Sequence, residues 1–206
     1  MFKKRSISGE SEREEPESEV DTSEEKEPSE FVQRAGEIFL AAKKLRHPIL
    51  FRESFIHLVA RLHDDKFYSS YLPALRDDKD LWLLLNEGKS RLRRMILQAQ
   101  HEVMVGVING DLSTDDETMA RQDESDNPDE SALFFRKVLG LRESIEMLHG
   151  KHWVQEFYSP INALMRNNLA LDQTGFLPGQ GPYECCFLCA NLADKDMPWN
   201  ATDFDW

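Results

Sequence analysis

Two residue pairs near the C-terminus have the types and spacing of metal ligands: His149-Gly-Lys-His152 and, further on, Cys186-Phe-Leu-Cys189. Zinc favours four nitrogen or sulfur donors in a tetrahedron, and two close pairs on separate chain segments can supply them. Cys185 is an alternative to one histidine. A structural zinc ion there would tie a Gly- and Pro-rich loop (Gly175, Pro178, Gly179, Gly181, Pro182) to the end of the preceding helix. The plainer reading makes the cysteines small core hydrophobes and the histidines helix C-terminal caps.

The paired-His, paired-Cys order is similar in layout to the helical zinc module at the start of retroviral integrases. The histidines there are one residue further apart, and the likeness stops at layout. A redox role for Cys186 and Cys189 lacks the surrounding βαβ pattern that such a motif needs.

A second cluster is cationic. Lys89, Arg91, Arg93 and Arg94 fall within six residues of a predicted helix, a set suited to phosphates or to nuclear import. With no interleaved aromatics, it reads equally well as a solvated face paired with the acidic loop that follows. His63-Asp64, with His57 upstream, resembles the His-Asp pair of helical metal-dependent phosphohydrolases. That resemblance implies two further ligands, for which His47 and Asp111 are the weak matches. No Gly-rich phosphate loop, nucleophile elbow or zinc-protease helix is present.

The chain ends in aromatics spaced by carboxylates: Trp199, Phe204 and Trp206 among Asp194, Asp196, Asp203 and Asp205. Such a tail can anchor in a partner's groove or fold back onto its own helices.

Charge and periodicity define what must position these groups. The net charge of −13 is concentrated in residues 1–30 and 110–130, whereas 31–109 is mildly basic. Residues 1–29 have almost nothing to bury and are expected to be a disordered acidic arm; acidic residues three places after Ser11, Ser18 and Thr22 suit acidophilic kinases. A helical region is expected over 30–109. Its first helix starts at Ser29 and places Phe31, Ala35, Ile38, Phe39, Ala42 and Leu45 on one stripe. Pro48 ends it, a second covers Ile49–His63, and a third runs from Asp77–Asp80 toward Ile108 with a break or kink at Gly88.

An acidic mobile loop is expected over 110–127 and a second helical region over 128–192. Asn127, Pro128 and Glu130 form a helix start before Phe134, Val138, Leu141, Ile145 and Leu148. Another helix is expected over roughly Pro160–Leu171, and residues 193–206 form the tail. No alternating strand pattern and no repeat appears, so the fold class is all-α: an irregular helical bundle with a small zinc-tied C-terminal segment.

Met1–Arg5 is not followed by an apolar stretch, so no signal peptide is expected, and no run is long and apolar enough to span a membrane. Three clustered cysteines suit a reducing compartment, cytoplasmic or nuclear. The anatomy points to a non-enzymatic regulatory or adaptor protein, such as a viral accessory or nuclear gene-expression factor, with other proteins as partners. A nucleic-acid-binding factor using Lys89–Arg94 is the alternative.

Overall fold

The computed structural model describes residues 30–61, 71–109, 132–142, 146–147, 151–172 and 175–199. The expected acidic arm, the expected acidic loop over 110–127 and the end of the tail lie outside the described residues. Within them the chain is mostly helical and has no strand, as all-α periodicity predicts. The helices are α1 (Glu30–Gln33), α2 (Ala35–Lys44), α3 (Pro48–Ala60), α4 (Leu72–Asp77), α5 (Lys79–Ile108), α6 (Ala132–Gly140) and α7 (Lys151–Leu164). After α7 the chain becomes a mostly irregular strap over the described residues 165–172 and 175–199, broken by single 3-10 turns at Gly181–Tyr183 and Asp194–Asp196.

α2 and α3 form a tight pair. Arg46 takes a left-handed conformation (φ 50°), and the His47 amide reaches back to the Ala42 carbonyl at 2.9 Å, which closes the end of α2. Pro48 then opens α3, where the His47 ring nitrogen accepts the Leu50 amide at 3.3 Å.

α3 is the central helix. Its first turn exposes Ile49 (46%), but Phe51 and every residue from Glu53 to Ala60 are buried, so this stretch needs cover on nearly all sides. α2 and α5 pack against it, and Phe39 stacks on Phe51 with centroids 4.4 Å apart.

α5 is capped by Asp78, which accepts the Leu81 amide at 3.2 Å. Lys43 of α2 grips the same carboxylate at 2.6 and 2.8 Å. Burial works against the charge on Asp78, but the hydrogen bonds from Lys43 and Leu81 prevail and hold its pKa below the usual value. The helix runs through Gly88 without a break, although a kink was expected there. A Cβ on Gly88 would lie 2.5 Å from Phe55 and 2.9 Å from Val59. The glycine therefore lets α3 approach α5, and packing outweighs the helix penalty of about 1 kcal/mol.

The expectation of a helix over Pro160–Leu171 is corrected. α7 begins at Lys151, contains Pro160 in its interior and ends at Leu164. Val154, Phe157, Tyr158, Ile161 and Leu164 are all buried, a stripe that crosses the proline. Burying those five side chains exceeds the roughly 3 kcal/mol an interior proline costs. α7 packs along α5 and touches α6, where the Tyr158 hydroxyl donates to the Val138 carbonyl at 3.1 Å.

Candidate functional site

The strap closes the side of α3 that α2 and α5 leave open. Its anchor is Glu53, a carboxylate only 2% exposed. One oxygen accepts the Ala170 amide at 2.8 Å and the other the Leu171 amide at 3.1 Å. Arg52 donates to the Leu192 carbonyl at 3.2 Å and pairs with Asp194. Arg136 of α6 donates to the Pro178 carbonyl at 2.8 Å.

Within the strap, the Asn168 side chain donates to the carbonyls of Cys189 and Ala190 at 2.9 and 3.2 Å. Asn167 donates to Phe176 at 3.1 Å. Gly179, with φ 78°, passes so close to α6 that a Cβ would lie 2.7 Å from the Ala132 carbonyl oxygen, so only glycine fits there. A cavity of about 90 Å³ remains between α3 and the strap, lined in part by Arg52, Glu53, Asn168 and Asn191. It is small beside ligand sites of about 300–1,000 Å³.

Residues 186–189 alternate between two apolar clusters. Cys186 and Leu188 pack with Ile56, Ala60 and Tyr183, whereas Phe187 and Cys189 belong to the main core. Alternation is what an extended chain produces, and residues three apart on it face opposite ways. A metal-binding Cys-x-x-Cys instead needs a turn that aims both sulfurs at one point.

His152 stands in the first turn of α7, roughly 18 Å along the axis from Leu164. Cys189 lies beside Asn168, past the opposite end. Burial, only partly offset by a backbone hydrogen bond and the Arg166 charge, pushes the Cys189 thiol up to about 12, so it stays protonated at neutral pH. Cys185 is exposed and His149 lies outside the described residues. Among the described residues, no group of three or more His, Cys, Asp or Glu is placed to hold a metal ion.

Of the phosphohydrolase-like set, only His47 and His57 lie among the described residues. His47 caps α3, and His57 sits between the rings of Phe31 and Tyr183, with centroids 5.5 and 6.2 Å away. His63, Asp64 and Asp111 lie outside the described residues. Of the aromatic tail, Trp199 meets Phe51 edge-on at 4.9 Å and packs on the main core. Phe204 and Trp206 lie outside the described residues.

The cations divide around α5. Arg91 pairs with Glu87 at 3.0 Å and reaches the Asn191 carbonyl of the strap at 3.4 Å. Lys89 is half-buried, whereas Arg93 and Arg94 are exposed.

One feature escaped the sequence reading. Leu83, Leu97, Met104 and Ile108 are 67%, 55%, 58% and 76% exposed, and all lie on the side of α5 opposite its buried stripe. With Glu87, Ser90, Arg94 and His101 they form a line at alternating spacings of four and three, which is the heptad spacing of a helix-pairing seam. The signal was available as the apolar residues left over once the core-facing set had been assigned.

Two measurements follow from the buried groups. Burial, reinforced by the Arg61 charge and partly offset by Asp172, lowers the His57 pKa from 6.5 to about 4. Between those values the unfolded chain binds the extra proton. Stability should therefore fall as pH drops from 6.5 to 4, by up to about 3 kcal/mol. Denaturant unfolding across that range should show this loss reduced in His57→Gln. For the metal, the divergent thiols predict no zinc held jointly by His149, His152, Cys186 and Cys189. One ion per chain in the purified protein, lost in both Cys186→Ser and Cys189→Ser, would reverse that conclusion. Comparison with protein-family models, with curated proteins and with solved structures finds no match for the chain.

Proposed function

We propose that this chain is a non-enzymatic adaptor or regulatory protein that presents the outward face of α5 to a protein partner. The observation that supports the reading is the line of exposed large hydrophobics on that face. Single exposed leucines are ordinary on a protein surface. Four large apolar side chains on one helix line, opposite its core stripe, form the kind of surface a partner covers.

The buried polar groups support the same reading from the other side. Glu53 and Arg136 hold the strap against the helices, Asn168 ties the strap to itself, and His57 packs against two rings. Their work is to keep α5 on a firm base. A contribution from nucleic acid rests on one observation, the adjacent exposure of Arg93 and Arg94. Two phosphate contacts on duplex DNA would give a salt slope of only about −2, too shallow for strong binding by this site alone.

The test is affinity capture with the intact chain and with a Leu97→Ser, Met104→Ser, Ile108→Ser variant. The substituted side chains point to solvent, so the variant should melt like the parent. It should lose a protein partner that an Arg93→Ala, Arg94→Ala variant retains at least in part. Retention of every partner by the serine variant would remove the reading. Binding that depends only on the two arginines and weakens steeply with salt would favour nucleic acid.

A further inference from the structure

We infer that the outward face of α5 is a seat for an acidic amphipathic helix supplied by another protein, an inference that rests on the adaptor reading and names the chemistry of the partner. The seat runs from Leu83 to Ile108, roughly 38 Å along the axis. Its apolar residues are Leu83 at one end, Leu97 near the middle, and Met104 and Ile108 toward the other end; the middle also carries cations. Arg93 and Arg94 are exposed there, with His101 one heptad beyond Arg94 on the same line. A helix filling this seam needs apolar residues at seam positions and carboxylates beside them, opposite the arginines.

The charge at the centre also argues against the nearest competitor, a second copy of the chain. In an antiparallel pair that sets Leu83 against Ile108 of the other copy, the two Arg94 residues meet near the crossing point. A parallel pair sets Arg94 directly on Arg94. Like charges brought together in either arrangement are unfavourable.

The chain's own acidic segments fit the charge but not the seam. Residues 110–131 offer only Leu112, Met119 and Ala120 as apolar side chains, and the arm before residue 30 is similarly poor. Residues 110–131 hold one heptad-spaced pair, Leu112 and Met119, against the four exposed apolar side chains of the seat, and the arm before residue 30 holds none. A helix in trans with apolar residues along its whole seam matches the seat better.

Two labelled synthetic peptides of about four heptads provide the test. Both carry leucine and alanine at seam positions; one has glutamates and the other lysines at the flanking positions. Fluorescence anisotropy with the intact chain should show the acidic peptide binding about tenfold or more tighter than the basic one. The Leu97→Ser, Met104→Ser, Ile108→Ser variant should lose that binding, and Arg93→Glu, Arg94→Glu should reverse the preference. Equal binding of both peptides, or none, would overturn the inference. So would a concentration-dependent dimer, by sedimentation, that the serine variant abolishes. If the serine variant loses its captured partner while the peptides show no charge preference, the adaptor reading stands and only the acidic-helix inference falls.

Discussion

The Glu53 carboxylate, buried in α3 and bound to two successive amides of the strap, is the constraint on which the rest of the fold depends. A buried charge is tolerable only with hydrogen-bond partners. Here the partners come from a segment more than a hundred residues away in sequence. Charge-assisted bonds of this kind each contribute about 1.5–3 kcal/mol net. Their larger effect is positional: once Ala170 and Leu171 are fixed, Asn168 can stitch 188–190 in place, and Ile56 and Ala60 of α3 gain apolar cover. α3 is thus held between helices on one side and irregular chain on the other.

This arrangement gives the described histidines and cysteines structural surroundings. His47 and His57 satisfy a helix end and a ring stack. Cys186 and Cys189 are buried in different apolar clusters. Burial, with the Asp172 charge and hydrogen bond added, raises the Tyr183 pKa above its ordinary value, so its hydroxyl stays protonated. These groups serve a helix end, ring packing and the strap, and the strap in turn meets the long α5 where Arg91 reaches the Asn191 carbonyl.

Sequence periodicity recovered the elements whose stripes are regular. Leu81, Leu85, Leu92, Ile96, Ala99 and Val103 are buried on α5 as expected, and the stop before Pro48 and the start at Asp78 follow from local capping chemistry. It failed where a long-range contact decided the outcome. Pro160 signals a helix start in isolation, but the apolar stripe on both sides of it carries α7 through. Asn167 and Asn168 fall inside an expected helix and instead bond strap backbone, an alternative that asparagine offers more readily than most residues. The outward seam of α5 was legible as spacing, but its exposure was not, because one helix carries two apolar lines and only packing shows which is buried.

Backbone hydrogen exchange in the native state tests the role of the Glu53 clamp most directly. The Ala170 and Leu171 amides should exchange about as slowly as those of Leu92 and Ile96 in α5, opening only with global unfolding. Substituting Glu53→Gln should speed exchange of that pair selectively. Rapid exchange of both amides in the unsubstituted chain, with α5 still protected, would contradict the account: the strap would then be a loosely held appendage, and α3 would have to be stabilised by other contacts.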